Sequence, residues 1–485
     1  MILPPAMSLE EKWGYLSDPP DLTAQSIMTE GLKPIFHIAP PLKLFPSAEE
    51  ITLDCNIPAL KPFIEDWLAR GIIEEIKDPT PCFFSRLFTV RKKSGKLRPI
   101  IDLSILNRWI STPKFRMETL EKIIKLITEA LWGTSIDVTD AYLHVPIHPA
   151  FRKFFAFSFA GKLYWFLKMP FGLTTAPWAF SRVMKPIKKF LRRHGVRVHS
   201  FLDDFLILAI SASMSKKHTQ WTISLLEWLG FKVNLEKSSL TPRQEIEYLG
   251  ILLNLRNLTL ALPQDKIDRI LSMCHSTQEE EWMSRRGLER LVGYLNFAAR
   301  ALPLGRLHLI PVIRWMNQNT DCITRDRPVF LSKVLREALS PFRNRNFLET
   351  PVPFIQRDTT LDLMTDASDF GWSGVLLPFQ VNGVWSPWER SNSINWRELK
   401  AILASVILFR KSLRGHSVRV LSDNKVALSC IYNQGSLHAP ALYDLSRELL
   451  LFCQQQNISL VPVHIEGALN VLVDKGSREG LVEKE

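Results

Sequence analysis

The sequence predicts a multidomain α+β protein, and three observations carry that expectation. Its 485 residues exceed what one ordinary hydrophobic core organises. From Pro58 to Leu252, helical spacing alternates with short β-like runs, after which residues 265–350 read as helical. From about residue 355 strand-like runs return, several of them closing on a carboxylate.

Composition narrows the class. A formal net charge of +12 favours a polyanionic partner over a basic or neutral one. The cysteines (Cys55, Cys82, Cys274, Cys322, Cys430 and Cys453) form neither a CxxC pair nor a Cys/His cluster, which argues against a zinc site and for reduced thiols. The longest apolar runs, such as Ala401 to Phe409, fall far short of a bilayer span, and the N-terminus lacks a basic stretch followed by an apolar one. The expectation is a cytoplasmic or nuclear protein that is not secreted and has no membrane partner.

Residues 1–57, punctuated by Pro4-Pro5, Pro19-Pro20 and Pro40-Pro41, read as an extended arm. From Pro58 to Ile76 the residues Leu60, Phe63, Ile64, Trp67 and Leu68 share a helical face, and Gly71 ends it. Strands Cys82–Arg91 and Leu97–Leu103 follow, joined by Lys92-Lys93-Ser94-Gly95-Lys96. This tip, with Arg98 beside it, reads equally as a solvated hairpin end or as a basic fingertip over phosphates.

A helix is expected over Met117–Trp132, and then Ser135-Ile136-Asp137-Val138 runs as a strand into a turn. Asp137 at that strand end is placed to hold a metal. Asp140 either joins it or caps the next element, and Tyr142 is either core or a wall beside a bound sugar. Aromatics alternate from Phe151 to Phe166 around a turn at Ala160-Gly161. Met169 to Pro177 is a loop in which Gly172 permits close backbone approach to a ligand. The helix Trp178–His194 carries Arg182, Lys185, Lys188, Lys189, Arg192 and Arg193, either a solvated face or a track for a nucleic-acid backbone.

The chemistry concentrates at Ser200-Phe201-Leu202-Asp203-Asp204-Phe205-Leu206-Ile207. Two adjacent acids between apolar runs fit a hairpin tip, and their mutual repulsion is relieved most simply by a divalent cation. Alone, such a tip is more often an ordinary acidic turn. A helix Lys216–Leu229 ends at Gly230, and strands near Phe231–Asn234 and Ile246–Leu252 follow with Lys237 between them.

In the helical stretch Ser284 is expected to cap a helix whose apolar face is Leu288, Leu291, Val292 and Leu295. Beyond it, Leu361–Met364 runs into Thr365-Asp366 and Gly371–Leu377 returns. Asn395 is read as the cap of a helix Trp396–Leu413 with Glu398 in its first turn. Strand Val418–Leu421 ends in Ser422-Asp423-Asn424, Ile458–Val463 leads to His464, and a last helix near Asn470 carries Asp474. Each acid alone reads as a cap. Four of them at element ends fit a second site for two metal ions.

These motifs, in this order, resemble those of reverse transcriptases. Asp137 with Asp203-Asp204 is similar to their metal-binding triad. Met169 to Phe180 resembles the template-and-nucleotide loop and helix, and Leu229 to Asn234, Lys237-Ser238 and Tyr248-Leu249-Gly250 resemble the motifs that follow. Asp140 to Ile147 and Pro170 to Leu173 resemble the wording of DIRS-type (tyrosine-recombinase) retrotransposons in particular. Thr365 to Ser368, Trp396 to Leu399, Ser422 to Asn424 and His464 to Asp474 resemble a fused ribonuclease H. Phe201 stands where Tyr is usual, Glu466 where Pro is common, and Gly476-Ser477 where Leu-Ser is usual.

The resemblance implies a right-hand polymerase of fingers, palm and thumb followed by a ribonuclease H-like α/β domain. The implied division is 1–57 arm, 58–264 fingers and palm, 265–354 thumb or connection, and 355–485 ribonuclease H-like domain. It implies two Mg2+ per active site, with Mn2+ as a substitute, held by Asp137, Asp203 and Asp204 in one site and by Asp366, Glu398, Asp423 and Asp474 in the other, with His464 assisting. It implies nucleotide binding by Lys92, Lys93, Arg98, Tyr142, Phe171, Gly172 and Lys237. The implied partners are an RNA template, a DNA primer and product, an RNA–DNA hybrid and dNTPs, with separate recombinase and capsid-like proteins. Two other readings share these features: a binding scaffold without turnover, which the full set of acids argues against, and a decayed copy, which the uninterrupted frame argues against.

Overall fold

The structure is a computed structural model that describes residues 3–466 apart from 5–6, 17–18, 79, 92–94, 96, 128, 321–322 and 355–358. Its internal contacts divide the chain into two compact units, Met1–Leu249 and Gly250–Glu485.

The first unit is built on a four-stranded antiparallel sheet in the spatial order Val233–Arg243, Trp132–Val138, Asp204–Ala209, Arg197–Phe201. The central strands are apolar for a physical reason. Phe205, Leu206 and Ile207 are fully buried, with the helices Ala176–Arg193 and Ala212–Trp228 packed against the sheet. Ser211 caps the second of these helices by accepting from the Met214 N–H. A three-stranded sheet (Ile73–Glu75, Lys162–Phe166, Ala156–Phe159) and the hairpin Leu87–Arg91/Leu97–Ile101 complete the unit. The turn at Ala160-Gly161 has positive φ at both residues, the geometry that joins two strands through two residues.

Four local expectations are corrected. Residues 1–57 are not an extended arm: helices Leu9–Tyr15 and Leu22–Thr29 bury Trp13, Ala24, Ile27 and Met28 in the main core. Proline punctuates these helices but does not interrupt them, and Ser8 and Glu11 form a reciprocal capping box. The helix expected over Met117–Trp132 is only Leu120–Ile124, because Trp132 pairs with Ala209 and opens the central strand instead. Lys237 does not lie between strands but on the long strand Val233–Arg243, whose register against its neighbour shifts between Asn234 and Ser239. The cap before the Glu398 helix is Ser393, not Asn395, so that helix spans Ile394–Leu408.

The second unit holds a five-stranded mixed sheet in the order Phe379–Val384, Gly371–Leu376, Thr359–Ala367, Ser417–Ser422, Ser459–His464. The first pairings are antiparallel and the last two parallel. Helices Ile394–Leu408, Lys425–Tyr432 and Pro440–Gln455 share its core. The helical stretch belongs to this unit as well. Leu307 and Ile310 of helix Gly305–Thr320 lie in the same core as Leu399 and Val418, and Arg314 donates to the Ser436 and Leu437 carbonyls. Ser284 caps helix Arg285–Ala298 as expected, and Leu288, Leu291, Val292 and Leu295 are buried.

Candidate active sites

The first site grows out of the central hairpin. Phe201 pairs with Asp204, so Leu202 and Asp203 form a two-residue turn, and Leu202 adopts φ 55, a conformation that costs a β-carbon-bearing residue strain. Asp204 stands directly opposite Asp137 on the neighbouring strand, and Asn234 flanks Asp137 on the other side. The backbone around the acids is pinned. Ser238 Oγ accepts from the Asp137 N–H at 3.0 Å while donating to the Asn234 carbonyl, and Tyr248 donates to the Asp204 carbonyl at 3.1 Å.

Crowding three acids has an electrostatic cost. Burial, and then the charges of Asp203 and Asp137, push the Asp204 carboxyl up to about 6. Asp203 is raised chiefly by burial and also by Asp137, against the opposing pull of a backbone hydrogen bond, Lys237 and Arg98.

A cleft of about 400 Å³ opens beside the turn and gathers Asp137, Asp203, Arg98, Phe171 and Lys237. The Arg98 guanidinium lies 4.7 Å from the Phe171 ring centroid. Tyr142 packs against Phe171 and Phe180 at 5.3 and 5.8 Å, and burial, with the nearby Asp203 charge, pushes its hydroxyl up to about 12. Gly172 has φ 93, and its carbonyl accepts from the Asn107 side chain at 2.8 Å. The expected nucleotide residues Lys92 and Lys93 lie outside the described residues.

Sequence reasoning missed three residues here. Asn107 both donates to Gly172 and accepts from the Thr174 N–H, clamping the loop under the cleft. Glu118 binds Lys188, Arg192 and the Ser200 N–H, tying the basic helix to the hairpin that carries Asp203 and Asp204. Arg70 bridges Asp66 and Asp140, so the Asp140 carboxylate makes an ion pair and does not cap the next turn. Apart from the i,i+4 pair of Asp66 with Arg70, these partners lie tens of residues apart, and no local pattern marks them.

The second site is tighter. Asp366 on the central strand, Glu398 in the first helical turns and Asp423 after the adjacent parallel strand bring ligand atoms within 4.8 Å of one another. Among the described residues this is the one group of three such side chains at that spacing; the Asp137, Asp203 and Asp204 group does not close as far. Burial first, and then the charges of Asp366 and Asp423, push the Glu398 carboxyl up to about 8, and its Oε2 has no hydrogen-bond partner among the described residues. The side chains of Asn424 and Asn395 are joined at 3.0 Å, linking the Asp423 segment to the Glu398 helix. His464 ends the strand paired with Ser422 and is exposed, whereas Asp474 lies outside the described residues.

Oxygen-only donors, one of them buried and unpartnered, fit a hard divalent cation. A cation there would satisfy Glu398 and relieve the repulsion that raises its carboxyl.

Comparison with known proteins agrees with this chemistry. Residues 90–253 match the family described as "Reverse transcriptase (RNA-dependent DNA polymerase)". The chain is 23% identical over 219 residues to Protein P of duck hepatitis B virus (strain China), covering 44% of this chain and 28% of that protein. It is 23% identical over 437 residues to the transposon Tf2-3 polyprotein of Schizosaccharomyces pombe, covering 87% of this chain and 31% of the polyprotein. The chain therefore spans about a third or less of these relatives. Among solved structures, the foamy viral protease-reverse transcriptase in complex with dsDNA superposes with a TM-score of 0.56 at 15% identity, covering 96% of this chain and 99% of that one. The same viral protein in complex with an RNA/DNA hybrid gives a TM-score of 0.53 at 14% identity, covering 96% and 64%. The fold is that of a polymerase followed by a ribonuclease H-like domain.

Proposed function

We propose that this chain, which carries a reverse transcriptase domain at residues 90–253, copies retroelement RNA into DNA and degrades the RNA strand of the resulting hybrid. The observation that carries the reading is the cleft in which two carboxylates, Asp137 and Asp203, face two cations, Arg98 and Lys237. Phosphoryl transfer needs positioning and charge neutralisation more than covalent help, and this cleft offers both.

Asp137 and Asp203, with Asp204 in support, would hold divalent cations, and Asp366, Glu398, Asp423 and Asp474 would hold them in the second site. When bound, Mg2+ supplies charge neutralisation and lowers the pKa of a coordinated hydroxyl or water. The residues do the rest. Arg98 and Lys237, with Lys92 or Lys93, bind and orient the triphosphate, and Lys237 gives a proton to the departing pyrophosphate. Tyr142 excludes a ribose 2′-hydroxyl, and Phe171 and Gly172 support the incoming nucleotide. In the second site Glu398 and its neighbours position the RNA phosphate, while His464 carries a proton or eases product away.

In this reading residues 58–264 are fingers and palm, 265–354 the thumb or connection, and 355–485 the ribonuclease H-like domain. The element is of DIRS type, on the wording of Asp140 to Ile147 and Pro170 to Leu173. Its partners are template RNA, primer DNA and dNTPs in the cytoplasm or nucleus, with recombinase and capsid-like proteins supplied separately. No helix among the described residues is long and apolar enough to cross a membrane.

The test is primer extension on an RNA template, with hybrid cleavage measured alongside, using the native chain, Asp203→Asn and Glu398→Gln. Extension should vanish in the first variant alone, cleavage in the second alone, and both when EDTA removes the cation. A folded native chain that neither extends nor cleaves with magnesium or manganese overturns the reading.

A further inference from the structure

The cleft holds an element that the proposed chemistry leaves unused. Phe63, Asp66, Trp67 and Arg70, from the helix Ile57–Ala69 and its C-terminal cap, line it together with Asp137 and Asp203. Arg70 donates from one guanidinium nitrogen to Asp66 at 2.9 Å and from the other to Asp140 at 3.1 Å, 70 residues along the chain. Asp140 sits at φ 48, in the left-handed region, where an Asp is tolerated but not favoured.

Asp140 is also the start of the short 3-10 turn Ala141–His144, whose Leu143 N–H donates to the Asp140 carbonyl at 2.8 Å. Tyr142 lies inside that turn. Its ring is set on one side by Phe171 and Phe180, and its backbone is set by the turn. The ion pair between Arg70 and Asp140 adds a side-chain anchor at the start of this turn, two residues before Tyr142, beside the backbone bonds that Thr139 N–H makes to the Lys232 carbonyl and Val145 N–H to the Tyr142 carbonyl.

We propose that Arg70 is a positioning residue for sugar selection: through its ion pair with Asp140 it anchors the strained turn that carries Tyr142, whose neighbours Asp140, Ala141 and Leu143 line the cleft while Tyr142 itself packs behind them on Phe171 and Phe180. The inference rests on the polymerase reading and on Tyr142 as the steric wall. A wall excludes a hydroxyl only if it cannot move by the width of an oxygen atom. An anchor on a turn of this geometry sets that stiffness, because the left-handed residue relaxes when its side chain is released. The pair is more than a third exposed on both sides (38% and 39%), so it adds little to global stability and its loss acts locally.

The test is single-nucleotide incorporation by the full chain on an RNA template with a DNA primer, comparing a dNTP with the matching ribonucleotide. Arg70→Ala is expected to lower the ratio of the two kcat/KM values by about tenfold or more, because a loosened wall admits the 2′-hydroxyl. Arg70→Lys keeps the charge and should recover most of the ratio. Asp140→Asn, which tolerates the left-handed backbone, should reproduce the loss, and the double variant should be no worse than the poorer single one.

A ratio within about twofold of the native value in both Arg70→Ala and Asp140→Asn overturns the inference. So does an equal loss for both nucleotides, or additive losses in the double variant. Should Arg70→Ala fail to fold, Arg70→Lys and Asp140→Asn carry the same comparison. A native chain that extends and discriminates while the variants discriminate equally well defeats this inference alone, whereas a native chain that does not extend at all defeats the polymerase reading and this inference with it.

Discussion

Asp204 and Asp137 face each other across adjacent antiparallel strands, whereas Asp203, one residue earlier, sits in the hairpin turn. The neighbouring acids thus have different surroundings. Asp137 and Asp203 line the cleft, and Asp204 is not among the residues that do. Opposed like charges on one sheet face repel, and the Asp204 carboxyl is raised first by its burial and then by the charges of Asp203 and Asp137.

The difference predicts unequal losses. Asp203→Asn should reduce primer extension by more than about a hundredfold, the scale of removing a group that stabilises charge in the transition state. Asp204→Asn should cost distinctly less and should raise the melting temperature of the metal-free protein, because one of the repelling charges is gone. Equal loss in the two variants, with no thermal gain in the second, would contradict the assignment of Asp204 as support.

Asn107 clamps the Gly172 loop through two hydrogen bonds, one donated and one accepted. Asn107→Ala removes both at once. With each bond worth about 1 kcal/mol, the Gly172 loop, proposed above to support the nucleotide, loosens and the KM for dNTP rises by about tenfold. The kcat at saturating nucleotide should change less, since the acids keep their own anchors at Ser238 and Tyr248. Steady-state kinetics that show a fall in kcat at constant KM would place Asn107 elsewhere in the mechanism.

Glu118 supplies the pH dependence. Burial alone would raise its carboxyl, but the His199 imidazole 3.7 Å away, the charge of Lys188 and the hydrogen bonds of Lys188 and Arg192 outweigh burial and hold it well below its ordinary 4.5. The unfolded chain therefore takes up this proton at a higher pH than the folded one. The stability Glu118 contributes is fully present above 4.5 and drains away as pH falls toward the depressed folded value. Glu118→Gln should lose about 2 kcal/mol at neutral pH, with the gap to the native protein closing below 4.5. Urea unfolding at neutral and acidic pH checks this, and a gap that stays constant with pH would mean that Glu118 acts through shape rather than charge.

Much of both candidate sites was legible along the chain. Asp137, Asp203, Asp366, Glu398 and Asp423 each sit at or near an element end between apolar runs, and that local pattern survives in the structure because the flanking apolar residues are buried, although Asp366 and Glu398 are buried with them and only Asp423 is exposed. The Ser284 cap and the apolar face that follows it were legible for the same reason: the interactions that define them span three or four residues. The mislaid helix over Met117–Trp132 failed where a distant partner, Ala209, outbid the local preference of Trp132, whereas the cap at Asn395 lost to a local competitor two residues earlier, Ser393, whose hydroxyl accepts from the Trp396 N–H.

The sequence by itself determined which chemical groups are present and in what order: acids at strand ends, a glycine where the loop turns left-handed, and cations enough for a polyanion. Only the tertiary structure decided which of them meet. It set Asp204 across from Asp137 and brought Arg70 to Asp140, Asn107 to Gly172, and Glu118 to Ser200. The reason is range. Side-chain periodicity encodes which face is buried, but a hydrogen bond or ion pair between residues some 65 to 82 positions apart exists only after the sheet has chosen its register.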